Sequence, residues 1–186
     1  MENMILELDQ YFEPVNVYGK FLLCEGINDK NGTKNYKICS LASREEICFP
    51  KDELSDSFRL NERKYIAGIG ILFTFNYYLS AERKLEHSCL LLEAKEQFLD
   101  NKFFCEIAIK KNLIYAKGEF YRERIFNHNG DLIIEKDRSQ IKNGNGEVIY
   151  EKVKESSELI LVENEKQEVA GLGIKVGPWK YEYYPL

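Results

Sequence analysis

Apolar and polar residues alternate along much of this chain, and period two is the signature of a half-buried strand. From Val15 to Cys24, Val15, Val17, Phe21 and Leu23 share one face, with Asn16, Tyr18 and Lys20 on the other. Residues 28–35 carry turn chemistry centred on Asn31-Gly32, and Tyr36 to Leu41 reads as the returning strand. Ile69 to Leu79 alternates most clearly, with Ile69, Ile71, Phe73, Phe75, Tyr77 and Leu79 on one face. Gly68 and Gly70 predict a bulge, a bend or the close approach of another backbone. Phe103 to Ile109 and Leu113 to Phe126 continue as strands, and Leu159 to Val162 is a further one.

Two stretches break the pattern. Pro50 to Phe58 carries a proline where a helix begins and acidic residues just after, which predicts a short helix. Ser80 to Asp100 is rich in Ala, Glu, Lys, Leu and Arg, with Leu85, Cys89 and Leu92 at helical spacing and Ser80 as an N-cap. A helix is expected near 80–100, although Cys89-Leu90-Leu91-Leu92 equally suits a buried strand.

The second half contains an internal repeat. Asn127-His128-Asn129-Gly130-Asp131-Leu132-Ile133-Ile134-Glu135-Lys136 returns from position 143 as Asn143-Gly144-Asn145-Gly146-Glu147-Val148-Ile149-Tyr150-Glu151-Lys152. Asn-Gly tolerates positive φ, so both copies predict two-residue type I′ hairpins. The expected fold is mainly β: an antiparallel meander forming a rolled sheet or partly open barrel, with one helix near 80–100. No Pro/Ser-rich linker divides the sequence, so a single domain over 1–186 is expected, with 115–186 as its hairpin-repeat half.

Composition narrows the class. The 186 residues are 44% hydrophobic and 31% charged, with Tyr 12, Phe 11 and Trp 1, which is globular usage with a β-leaning aromatic set. A net charge of -5 argues against nucleic acid as a partner, because a phosphate backbone needs a net basic face. The start carries Glu2, Glu7 and Asp9 and no basic segment before an apolar one, and Ile66 to Leu79 is too short to span a bilayer. No membrane role is expected. Five cysteines without a CxxC pair suit reduced, buried thiols in a cytoplasmic protein.

Reactive chemistry is sparse. The two histidines are His87, two residues from Cys89, and His128, inside the first repeated turn. Neither comes with an orienting partner, so no catalytic residue is assigned. Cysteine spacing fits no metal site, and Gly68-Ile69-Gly70 and Gly171-Leu172-Gly173 fit no phosphate loop. No cofactor is expected. Charge is uneven, however. Residues 101–125 hold Lys102, Lys110, Lys111, Lys117, Arg122 and Arg124 against three glutamates. Their arginines are expected to pair with carboxylates across a strand. Residues 151–170 hold Glu151, Glu155, Glu158, Glu163, Glu165 and Glu168 against three lysines, an acidic run able to steer a basic partner.

The chain closes on Gly173-x-x-x-Gly177-Pro178-Trp179-Lys180-x-x-Tyr183. This segment, with the Asn-Gly-Asp/Glu-hydrophobic turns before it, resembles the MORN-type variant repeat of antitoxin-like and interaction proteins. The resemblance covers at most residues 115–186, and only the last unit carries the Gly-x-Trp core. It implies β-hairpin repeats and a role in interaction. The expected function is therefore a non-enzymatic cytoplasmic binding protein, immunity- or antitoxin-like, that occludes a basic, toxin-like protein. Trp179, Tyr181, Tyr183, Glu163 and Glu165 are its expected contact residues, since exposed aromatics carry interface energy. The alternative is a β-barrel enclosing a small apolar or aromatic ligand against Phe73, Phe75 and Tyr77.

Overall fold

The computed structural model describes residues 12–27, 34–50, 58–80, 82–154 and 157–186. The short helix expected at 50–58 and the turn at 28–35 fall largely outside them. The chain divides into two compact units, residues 1–102 and 103–186.

The first unit holds two four-stranded antiparallel sheets. One is β1 (Phe12–Tyr18), β2 (Phe21–Ile27), β3 (Lys34–Ser40) and β4 (Glu46–Ile47). The other is β5 (Phe58–Ile66), β6 (Gly70–Tyr78), β7 (Lys84–Leu92) and β8 (Gln97–Phe98). In the second unit, β9 (Glu106–Ile109), β10 (Ile114–Lys117), β11 (Glu123–Phe126), β12 (Leu132–Asp137), β13 (Gln140–Asn143) and β14 (Val148–Tyr150) make a six-stranded sheet. A three-stranded sheet follows: β15 (Ile160–Glu163), β16 (Val169–Lys175) and β17 (Tyr181–Pro185). Every strand pairs with its sequence neighbour, so each sheet is a meander. The expected mainly β, antiparallel meander is what the chain forms. None of the four sheets closes into a barrel.

The helix expected near 80–100 is not there. Lys84–Leu92 is strand β7, paired with β6 along its whole length from Gly70↔Leu92 to Tyr78↔Lys84. After β8 comes only a single 3₁₀ turn, Leu99–Asn101. Strong helix formers lost to burial: Leu90, Leu91 and Leu92 are enclosed on both sides of the sheet, an environment a solvated helix face does not offer. Ser80 does cap, but it caps a turn, with its Oγ accepting from the Arg83 N–H at 3.1 Å.

Two expected single strands are hairpins. The stretch 15–24 breaks at Gly19, whose φ of 55° lets the chain reverse between Tyr18 and Phe21. Val15 and Val17 therefore lie exposed on β1, and Phe21 and Leu23 lie in the core on β2. The stretch 113–126 reverses at 118–122, where Gly118 N–H donates to the Arg122 carbonyl at 2.8 Å. The repeated turns also differ from expectation. Only Gly130 and Gly146 take positive φ, at 81° and 83°, so the turns are not type I′. Each is a wider loop ending in a left-handed residue, with Asn127 N–H bonded to the Asp131 carbonyl and Asn143 N–H to that of Glu147, both at 3.0 Å.

The close approach expected at the glycines of 68–70 is real. Gly70 has no room for a Cβ, which would overlap the Leu91 carbonyl on β7. In the second unit the core joins Tyr115, Ile125, Ile134 and Ile141 from the six-stranded sheet, with Leu113 just before β10, to Leu172 and Ile174 of β16. This packing fixes which face of the three-stranded sheet looks outward.

Candidate docking face

The last three strands carry the C-terminal aromatics. Their register aligns Ile160 with Gly173 and Gly173 with Tyr183, and Val162 with Gly171. Side chains alternate faces along a strand, so Leu172, Ile174 and Tyr184 turn inward to the core. Ile160, Val162, Gly171, Gly173, Tyr181 and Tyr183 share the outer face.

That face is apolar and open. Ile160 is 46% exposed, Tyr181 51% and Tyr183 56%. Its central strand has glycine at positions 171 and 173, the first buried and the second half-buried. The Tyr183 ring lies directly over Gly171, where a Cβ would overlap the ring. Its hydroxyl donates to the Ala170 carbonyl at 3.0 Å, which fixes the ring flat across the sheet. Tyr181 lies beneath the Lys175 ammonium, 5.9 Å from the ring centre. Beyond Lys175 the chain turns at 176–180, closed by the Val176 N–H donating to the Lys180 carbonyl at 3.0 Å. Trp179 stands on this turn at 95% exposure. An indole left in water at a sheet end gains far more from a partner than from its own fold.

At the opposite end of β16, the turn 164–168 is acidic. Glu165 is exposed there, and Glu163 ends β15. Glu163 pairs with Lys110 at 3.0 Å, and both side chains remain more than a third exposed. Such a pair is worth at most ~1 kcal/mol and exchanges readily for an incoming cation. Glu158 pairs with Lys117, which holds its carboxyl below and the ammonium above their ordinary pKa ranges, chiefly through their hydrogen bond. The basic segment 101–125 and the acidic segment 151–170 thus answer one another within one unit. Arg124 holds Glu135 at 2.6 Å and Arg122 holds Asp137 at 2.9 Å, across the strand as expected.

The other sequence candidates lie elsewhere. Phe73 and Phe75 on β6 are buried and pack edge-on against Phe49 at 5.2 and 5.7 Å. Tyr77 is half-buried, with its ring 6.4 Å from that of His87. His87 and Cys89 are both buried on β7, and burial pushes the Cys89 thiol well above its ordinary pKa. Its thiolate is suppressed, which is the reverse of nucleophile activation. The cysteines are not uniformly buried: Cys24, Cys39 and Cys89 are, whereas Cys48 and Cys105 are exposed because they flank strands rather than occupy core positions. His128, for all its turn position, donates from Nε2 to the Lys110 carbonyl at 2.9 Å. Among the described residues, no three His, Cys, Asp or Glu side chains group to hold a metal, and no helix is long and apolar enough to cross a membrane.

Sequence reasoning missed a buried polar cluster. Glu123 and Lys136 face each other in register on β11 and β12, with side chains 1% and 0% exposed and charged atoms 3.6 Å apart. Glu123 Oε1 accepts from the Tyr115 hydroxyl at 2.7 Å and from the Leu159 N–H at 2.9 Å. Lys136 Nζ donates to the Tyr121 carbonyl at 3.1 Å. Burial and the Glu123 carboxylate push the Tyr115 hydroxyl far above its ordinary pKa. Glu123 Oε2 is buried without a hydrogen-bond partner and faces the Lys136 ammonium at 3.6 Å, so the cluster reads as a structural pin held by charge. No protein-family model matches this chain, and neither the curated proteins nor the solved structures contain a match.

Proposed function

We propose that this chain is a binding protein that docks a basic partner protein on the outer face of β15, β16 and β17, and blocks that partner by covering it. The observation that carries the reading is the exposed apolar face itself. Ile160, Val162, Tyr181 and Tyr183 form one surface over a glycine floor, continued by Trp179 on the adjoining turn. Contiguous apolar exposure of this kind marks an interaction surface, and Trp and Tyr dominate interface energies. Tyr183 is already held by its hydroxyl, so little side-chain entropy remains to be lost on binding.

Charge chooses the partner's sign. Glu163 and Glu165 stand at the acidic end of the same sheet, and the Lys110–Glu163 pair is exposed enough to open. A cation presented there meets a carboxylate whose present partner is weakly held. The resemblance of Gly173 to Tyr183 to the MORN-type variant repeat supports the same assignment, and the blocking, antitoxin-like role comes from it.

The reading is tested by quantitative affinity capture from the native host with two baits, the wild-type chain and a Trp179→Ala/Tyr183→Ala variant. A basic protein held at least tenfold more by wild type, and released by raised salt, is the expected result. Identical capture by both baits would contradict the docking face.

A further inference from the structure

The sequence contains four Asn-Gly steps, at 31–32, 129–130, 143–144 and 145–146, and the last three lie among the described residues. Such a step carries its own electrophile and nucleophile. Glycine has no Cβ to shield its backbone nitrogen from the side-chain amide of the asparagine before it. The fold decides which of the three can react.

Asn143 is locked. Its Oδ1 accepts from the Asn145 N–H at 3.1 Å and the Glu147 N–H at 3.0 Å, and its Nδ2 donates to the Glu147 carboxylate at 2.7 Å. The glycine after it is pressed against other backbone, since a Cβ on Gly144 would overlap the Leu132 carbonyl. Turning the Asn143 Cγ onto the Gly144 nitrogen means breaking all three side-chain bonds. Asn129 and Asn145 differ. Both are exposed on their loops, and no hydrogen bond holds either side chain among the described residues. Each precedes a glycine at positive φ, 81° for Gly130 and 83° for Gly146. The glycine N–H donates to the Asn127 carbonyl at 3.0 Å in one loop and to the Asn143 carbonyl at 2.9 Å in the other. A turn bond at a loop tip opens at low cost, and its opening frees the nucleophile.

We propose that Asn129 and Asn145 are sites of spontaneous deamidation in the folded chain, and that Asn143 is spared. The Gly130 or Gly146 nitrogen attacks Cγ of the preceding asparagine. A new C–N bond closes a five-membered succinimide, and Nδ2 leaves as ammonia, taking the glycine N–H proton. Water then opens the ring at either carbonyl and leaves aspartate or isoaspartate. Water is the sole co-reactant, and nothing is oxidised or reduced. Each event turns a neutral amide into a carboxylate. The two loops lie side by side, with Gly144 against Leu132. The first also meets Lys110 through His128, beside the Lys110–Glu163 pair. The acidic end of the unit therefore gains negative charge as the protein ages.

Site-resolved mass spectrometry of the full chain tests this without any protein partner. The chain is aged in mildly alkaline buffer, folded and in urea side by side, and the amide-to-acid mass gain is followed at each asparagine. In urea all three should convert at similar rates. In the folded chain Asn129 and Asn145 should convert, with isoaspartate confirmed by enzymatic methylation of its carboxylate, and Asn143 at least tenfold more slowly than either. Conversion of Asn143 as fast as Asn145 in the folded chain overturns the proposal. So does the absence of conversion at Asn129 or Asn145 in the folded chain while the urea-unfolded chain reacts.

Discussion

At the scale of single residues, the second unit stands on a buried ion pair. Glu123 and Lys136 have given up nearly all water, and the Tyr115 hydroxyl and the Leu159 N–H make up part of the loss to Glu123. Removing one partner strands the other charge. Lys136→Met should cost about 3–5 kcal/mol in urea unfolding, and Glu123→Gln added to it should recover part of that loss. An unchanged unfolding midpoint in Lys136→Met would show that water reaches Glu123. The Tyr115 hydroxyl adds a pH dependence. Its folded pKa lies above its unfolded value of about 10, so the fold holds the protonated form. The stability this contributes is complete below about pH 10 and is lost as pH rises further, a loss that Tyr115→Phe should reduce. Thiol labelling offers a simpler check. In the native chain Cys48 and Cys105 should react quickly and Cys24, Cys39 and Cys89 slowly. None of this was legible from alternation. A glutamate and a lysine on adjacent strands read as outward residues until their strands are paired and both faces covered.

At the scale of elements, one turn design recurs three times. Asn127, Asn143 and Asn164 each begin a loop whose fourth residue, Gly130, Gly146 or Gln167, takes positive φ. Each asparagine Oδ1 accepts the N–H four residues on, at 2.9 to 3.0 Å, and its Nδ2 donates to that residue's carboxylate. The third copy escaped the sequence reading because Gln167 stands where the others have glycine. That substitution is strained, so Gln167→Gly should stabilise the chain by about 0.5–1 kcal/mol in thermal unfolding. Asn164→Ala should cost about 1 kcal/mol by removing the side-chain acceptor, by analogy with a helix cap. Strands with strict alternation, such as β6, were legible for the same reason that they are stable. The hairpins at Gly19 and Gly118 were not, because both flanks alternate in phase and only the backbone shows the reversal. Strand β7 was obscured by composition, since Glu, Lys and Leu favour a helix until β6 supplies a pairing edge.

At the scale of the whole molecule, two compact units each bury their own core, and the second presents the features that suggest a function. The sequence pointed to Trp179, Tyr181 and Tyr183 as contact residues, and the structure places the two tyrosines on one outer face with Trp179 on the turn beside it. What spacing could not reveal is the glycine floor beneath them, because it depends on strands brought together by the fold. Trp179 makes so little contact that Trp179→Ala should change stability by no more than about 0.5 kcal/mol. Its role is therefore separable from folding. The docking face is tested most directly by a photo-crosslinking side chain placed at position 183, with position 86 on β7 as control. Irradiated in host extract, the first should trap one basic protein and the second should not. Equal trapping at both positions, or trapping at 86 alone, would contradict the account.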